Sequence, residues 1–436
     1  MLVLKFGGTS LGNSSRIKEV AELVGDGVPK IVVLSAMSGT TNKLVEIAQD
    51  LYVKRHSEAN EKIDKLYKDY RKVIDELFAD QIYKVKAIEL IDLHTNRLRA
   101  YTQDLFTIYE ERAVLALGEL ISTAFFHFYL EEKGTENVLL PALNFMRIDK
   151  EGEPDDFYIK QNLEREMEQH KGQTLFITQG FICRNAFGEV DNLKRGGSDY
   201  TASIIGSLVK AEEIQIWTDI DGFHNNDPRY VDSTAAIREL SFEEAAELAY
   251  FGAKILHPSS VTPAKKANIP VRLKNTLDPL AIGTLLTSNE TGEGIKAIAA
   301  KDGITVIKIK SGRMLLAYGF MRKVFEIFET YKTPIDLITT SEVTVSLTVD
   351  DTSMLPDILV DLKKYGTVEV EENQTIICVV GNFIAESKGY ALQIFDSLKD
   401  IPIRMISYGG SRHNISILVP SGFKKQALNA MHKKLF

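Results

Sequence analysis

Two stretches near the end of this 436-residue chain are versions of each other. Residues 327–349, "IFETYKTPIDLITTSEVTVSLTV", and 394–419, "IFDSLKDIPIRMISYGGSRHNISILV", share a Pro-Ile-x-x-Ile-Thr/Ser core at an offset of roughly 68 residues. A period of that size is one supersecondary unit. Each copy reads strand, helix, strand, strand, helix. The first continues into "TVEVEEN" (367–373), a further strand that completes a βαββαβ unit, whereas the second ends at the helix "KKQALNAMHKKLF". A sheet without its last strand leaves an unpaired edge, which proteins cover. "IKAIAA" (295–300), just before the first copy, is expected to fill it. On that reading the first unit, 303–374, is inserted into the second, built from 293–302 and 375–436.

The preceding region, 1–292, has another pattern and ends at the polar stretch "TSNETGEGIK". Short apolar runs ("LVLKF", "KIVVLSA", "VLLPAL", "TLFITQGFI", "EIQIWTDI", "IPVRLKN") alternate with helically spaced segments, which reads as a largely parallel sheet covered on both sides. Between about 42 and 133 the chain is long, charged and nearly free of glycine, as amphipathic helices are. There Ile63, Leu66, Tyr67, Tyr70, Val73 and Ile74 form a stripe expected to pack on a neighbouring helix.

Hydrophobic residues make up 44% of the chain and charged ones 26%, a globular balance. The formal charge of -8 argues against nucleic acid as a partner, since phosphate binding needs excess Lys and Arg. The two cysteines, Cys183 and Cys378, lie far apart and outside any metal-ligand spacing, which fits the cytoplasm. No run of apolar residues suggests export or a membrane span.

Five places carry chemistry. "KFGGTS" puts Lys5 near a strand end and follows it with Gly7-Gly8, a turn open to a phosphate; neither P-loop nor dinucleotide spacing is present, and an ordinary tight turn reads the same way. "VVLSAMSGTTNKL" dresses a second strand end with Ser35, Ser38, Thr40 and Thr41, as anion ligands or as helix caps. "LKRGGSDYTAS" combines Arg195, able to clasp a carboxylate, with Ser198 and Asp199 at a helix start, able to meet an ammonium. "IWTDIDGFHNNDPRY" delivers Thr218 and Asp219 into a turn, and "FGAKILHP" offers Lys254.

In this order the motifs "KFGGTS", "GELIS", "KRGGSDYTA", "WTDIDG…DPR" and "FGAKILHP…DLITTSEV" resemble the aspartate kinase family over essentially the full length. The resemblance implies an α/β amino-acid kinase fold, a mostly parallel sheet between helices, followed by two ferredoxin-like βαββαβ ACT domains. It implies phosphorylation of the L-aspartate side chain by ATP with Mg2+, the first step towards lysine, threonine and methionine. It also implies a homodimer formed through the ACT domains, with no nucleic acid or membrane partner.

By the same resemblance Lys5 and Asp219 belong to the catalytic centre. Ser35, Thr41, Glu119, Arg195, Ser198 and Asp199 would bind aspartate; Gly7, Gly8, Thr218, Asp219, His224, Arg229 and Lys254 would serve ATP; no protein metal site is implied. Met314, Phe320, Met321, Ile335, Asp336, Ser341 and Glu342 would surround an effector amino acid, lysine foremost. Without that context Glu119 reads as an exposed helix acid. Three positions depart from the family pattern: Lys194 for a glycine, His224-Asn225 for a tyrosine near adenine, and Ala317 for a hydroxyl in the effector pocket. A glutamate or acetylglutamate kinase, or a sensor without activity, are the alternatives.

Overall fold

Strands buried on both faces need helices above and below them. The computed structural model describes every residue except 194–195, 253–254, 290–291 and 313–317, and in it the apolar runs become such strands. Contacts divide the chain into two units, Met1–Gly222 with Leu256–Ser288, and Phe223–Ile255 with Asn289–Phe436.

The first unit contains β1 (Leu2–Phe6), β2 (Lys30–Leu34), β3 (Val138–Leu140), β4 (Leu175–Gln179), β5 (Ile214–Thr218), β6 (Val271–Asn275) and β7 (Thr284–Thr287). They lie in the order β3-β4-β2-β1-β5-β6-β7. The first six are mutually parallel and β7 runs antiparallel to β6. The carboxyl ends of β1, β2, β4 and β5 therefore open along one edge, where ligands of parallel sheets collect.

Helices α1 (Ser14–Val24), α2 (Thr40–Tyr52), α3 (His56–Leu77), α4 (Gln81–Ala100), α5 (Ile108–Leu115), α6 (Leu117–Glu132) and α7 (Gly197–Leu208) belong to this unit. Asn13 caps α1, its Oδ1 accepting the Arg16 N–H at 3.0 Å. The α3 stripe buries Ile63, Leu66, Tyr70 and Ile74 in a core shared with Ala87, Ile91 and Leu98 of α4, with Tyr67 and Val73 at its margin. One feature differs from the sequence reading: the helical run Ile108–Glu132 is long and apolar enough to span a bilayer. It is 72% buried over its apolar window, and its Ile121, Phe125 and Phe126 sit in the core.

Two apolar runs make shorter strands than their composition suggests. At Pro141 the missing N–H ends β3. After Gln179 the chain turns through Phe181, whose φ is 67°, so Ile182–Arg184 leaves the main sheet and pairs with Val190–Asn192 in a small hairpin.

The second unit is built on β8 (Gly294–Lys310), β9 (Ile338–Thr340), β10 (Thr344–Val349), β11 (Thr367–Asn382), β12 (Met405–Ser407) and β13 (Asn414–Pro420). Their order is β9-β10-β8-β11-β13-β12, all antiparallel. The long β8 and β11 each serve both halves: 304–310 pairs with 367–374, and 294–301 with 376–382. Where two strands per partner were expected, each is one strand with a register shift at the joint. Gly303 (φ 76°) and Asn373 (φ 56°) mark the joints, residue types that enter the left-handed region at low cost. Helices α8 (Phe242–Tyr250), α9 (Phe320–Thr330), α10 (Leu355–Leu362), α11 (Tyr390–Ser397) and α12 (Lys424–Leu435) complete this unit. Its membership differs from a boundary at 292, because Val231 and Tyr230 pack into the cluster of Ile377, Val379, Ile394 and Leu428.

Candidate active site

A pocket of about 430 Å3 lies at the carboxyl edge of the parallel sheet, lined in part by Lys5, Gly8, Ser35, Thr41, Glu119, Ser198 and Asp199. Lys5 is the penultimate residue of β1, a central strand, and projects where its neighbours Leu4 and Phe6 are buried. Its Nζ lies 2.7 Å from Asp199 Oδ1, with the two side chains only 12% and 13% exposed. Asp199 stands in the first turn of α7, where the helix dipole favours a negative charge. The chain enters α7 through Gly196 at φ 78°. At Gly8 the backbone runs so near β2 that an added Cβ would meet the Ala36 carbonyl oxygen at 3.0 Å.

Glu119 also lines the pocket, in the first turn of α6 and 3% exposed, hence no surface acid. Its Oε1 accepts the Ala36 N–H at 3.1 Å, while Oε2 is buried without a hydrogen-bond partner among the described residues. Burial pushes its pKa up to about 7, against the lowering pull of the backbone N–H of Ala36 and of Lys5. Ser122 ties α6 to the same strand end by donating to the Ser35 carbonyl at 2.8 Å. A cation beside an acid and a buried carboxyl with a free oxygen, lining one pocket, suit a small zwitterion better than an apolar ligand.

Thr218 ends β5, the strand beside β1, and Asp219 follows it, its Oδ1 accepting from Thr218 Oγ1 at 3.1 Å. Gly7 joins this edge by donating its N–H to the Trp217 carbonyl at 3.2 Å. Neither Thr218 nor Asp219 lines the pocket itself. His224 and Arg229 belong to the second unit; His224 Nδ1 is 3.2 Å from Thr234 Oγ1, and Arg229 grips Asp227 through two nitrogens at 2.9 and 2.7 Å. Arg195 and Lys254 lie outside the described residues, as do Lys194 and Ala317. Among the described residues no group of three His, Cys, Asp or Glu could hold a metal.

The pocket also contains Thr9, Met37 and Asn42, inside two of the motifs but not named as site residues, and Phe181, outside them. The signal for Phe181 was the glycine at 180 inside an apolar run, a mark of a bend rather than a strand interior.

Of the effector candidates, Met314 lies outside the described residues. Phe320 is a core side chain of the first βαββαβ half, with Met321 and Ile335 packed against the same cluster. Ser341 and Glu342 are exposed in the turn joining β9 to β10, where the Ser341 N–H donates to the Thr344 carbonyl. Asp336 is the exception, a carboxylate whose side chain is 1% exposed.

Residues 1–275 match the amino acid kinase family and 377–435 the ACT domain. Lysine-sensitive aspartokinase 3 of Escherichia coli K12 is 34% identical over the whole chain and 99% of its own length. The crystal structure of E. coli aspartokinase III with aspartate and ADP superposes with a TM-score of 0.85 at 34% identity, covering all of both chains. Its complex with lysine and aspartate gives 0.85 at 33%, over 100% of this chain and 99% of that one. With the parallel-sheet unit, the antiparallel βαββαβ unit and full-length identity in agreement, the chain belongs to the aspartokinase family.

Proposed function

We propose that this chain transfers the γ-phosphoryl group of ATP to the side-chain carboxylate of L-aspartate, giving ADP and 4-phospho-L-aspartate. A carboxylate oxygen attacks the γ-phosphorus while the bond to the β,γ-bridging oxygen breaks. The nucleophile is ionised at neutral pH and needs no general base. What remains is to hold two anions in line and offset charge on the transferring group. Lys5 takes that task, Asp219 works beside the phosphates with Mg2+, and the turn at Gly7-Gly8 admits them. Glu119 and Asp199 receive the substrate ammonium, Arg195 a carboxylate, and Ser35, Thr41 and Ser198 the remaining polar atoms. Thr218, His224, Arg229 and Lys254 serve the nucleotide.

The observation that carries this reading is that the Lys5–Asp199 pair and the half-free Glu119 carboxyl line one pocket. Purified chain with MgATP should form a hydroxylamine-trappable acyl phosphate with L-aspartate but not with glutamate or acetylglutamate. Lys5→Met should lower kcat by at least about 10^2-fold, the scale of losing one transition-state donor. Turnover on glutamate instead of aspartate would reject the assignment.

For control, an amino acid binds the C-terminal unit at Phe320, Met321, Ile335, Asp336, Ser341 and Glu342, with Met314, and lysine is the first candidate. The pairing of 294–301 with 376–382 supports reading 303–374 as a unit inserted between 293–302 and 375–436. A homodimer formed through this unit completes the reading.

A further inference from the structure

The first turn of α6 carries Glu119, yet that helix begins at Ala116 with no side-chain cap. What fixes its place is a pair of ties to two neighbouring strand ends. On the β2 side the Ser122 hydroxyl donates to the Ser35 carbonyl at 2.8 Å, and the Ala36 N–H to Glu119 Oε1 at 3.1 Å. On the β4 side stands Gln179, the last residue of that strand and the register partner of Leu34 in β2.

Gln179 is buried and uses both ends of its amide. The Ala142 N–H, just beyond β3, donates to Gln179 Oε1 at 2.7 Å, and Gln179 Nε2 donates to Thr123 Oγ1 at 2.8 Å. Thr123, also buried, gives its own proton to the Glu119 carbonyl oxygen at 2.7 Å. A backbone N–H can only donate, so it must face the amide oxygen, which leaves the amide nitrogen for Thr123. The Thr123 hydroxyl accepts from that nitrogen and keeps its single proton for Glu119. The direction of every bond is thereby set.

A helical threonine commonly returns its hydroxyl to the carbonyl four residues before, and by itself that bond says nothing about function. Here the same hydroxyl also accepts from outside the helix, which joins the turn bearing Glu119 to the carboxyl end of β4. With the β2 tie alone the turn could pivot about Ser35 and Ala36; a second tie on the adjacent strand removes that freedom. Burial makes the second tie costly to break, since the freed groups find no water.

We infer that Gln179, acting through Thr123, is a positioning residue for aspartate: it holds the first turn of α6 where the Glu119 carboxyl reaches the pocket. The inference rests on the reading of Glu119 as a receiver of the substrate ammonium and adds what keeps it in place.

The test uses the full chain with Thr123→Val, which removes the hydroxyl at nearly constant volume, Gln179→Met, the two combined, and Thr123→Ser, which restores a hydroxyl. Steady-state constants for aspartate and ATP are read beside melting points, with Glu119→Gln as the reference. Thr123→Val should raise KM for aspartate by about fivefold or more, within the span seen for residues sharing one hydrogen-bond network. Its kcat should change less and its KM for ATP not at all. Gln179→Met should do the same, and the double variant should be no worse than the more affected single one, because either change breaks the same chain. Thr123→Ser should return KM for aspartate to the parent value. An unchanged KM for aspartate in Thr123→Val, whatever its melting point, would overturn the inference and leave the chain of bonds a packing feature; so would an equal rise in both Michaelis constants. Thr123→Val decides alone where Gln179→Met does not fold. Glu119→Gln with a parent-like KM for aspartate would overturn the ammonium reading itself, and the inference with it.

Discussion

A buried carboxyl with one unclaimed oxygen is a sink for positive charge, and in this pocket that group is Glu119. Its proton-bound form is favoured in the empty site because burial raises its pKa from 4.5 to about 7. The protonated group favours the fold most fully below the ordinary Glu pKa, and that contribution is lost as pH rises from 4.5 through 7. A substrate ammonium reverses the preference, since it binds the ionised form. Apparent affinity for aspartate should therefore climb between pH 6 and pH 8 by about tenfold and then level off, with a proton released on binding below the midpoint. Titration calorimetry in two buffers of different ionisation enthalpy measures that proton. Glu119→Gln should bind aspartate more weakly and with a flat profile; a parent profile equally flat would mean the carboxyl does not meet the ammonium. Nothing in "GELIS" announces this behaviour, because burial is a tertiary property. For Lys5 the charge followed by a glycine pair marked a strand end where the structure has a pocket, although a tight turn reads the same way in sequence.

At the scale of elements, the site depends on how closely α6 lies against the turn from β2 to α2. A Cβ built on Gly118 would stand 2.7 Å from Ala36 Cβ and 3.3 Å from Thr40 Cγ2. Gly118→Ala gains about 1 kcal/mol of helix propensity but incurs about 1–3 kcal/mol of overpacking, so crowding prevails. It also pushes Glu119 away from the Ala36 N–H. The variant should melt a few degrees lower and show a raised KM for aspartate with a smaller change in kcat, read by scanning calorimetry and steady-state rates. An unchanged melting point with unchanged KM would show that the turn gives way freely. The alternation of strands and helices was readable because buried parallel strands are continuous apolar runs. Ends were less so: "TLFITQGFI" contains a bend at Phe181 that composition does not reveal, and the fusion of four expected strands into β8 and β11 turns on two left-handed residues, Gly303 and Asn373.

For the whole molecule, the consequential feature is that Phe223–Ile255, which carries His224 and Arg229, belongs with the antiparallel unit. The 68-residue repeat made two βαββαβ halves legible, yet no sequence pattern ties 223–236 to the terminal helix α12. The ties are specific. Asn226 Nδ2 donates to the Leu428 carbonyl at 3.1 Å, Asn429 Nδ2 to the Tyr230 carbonyl at 3.0 Å, and Ser233 Oγ lies 3.1 Å from His432 Nε2. Lys424, 6% exposed, holds Asp302 at 2.6 Å with its Nζ 4.2 Å from the centre of the Tyr230 ring. A segment proposed to serve the nucleotide is thus positioned by a helix of the regulatory part. Lys424→Met keeps an apolar chain at this place but removes the charge that sits over Tyr230 and holds Asp302, so the segment loses its register on α12 while the aspartate pocket is untouched. KM for ATP should rise by about 2- to 30-fold, the span of 0.5–2 kcal/mol seen for coupling residues, and KM for aspartate should stay constant. Equal changes in both constants would point to general loosening of the fold, and no change in either would mean that α12 does not position the nucleotide segment.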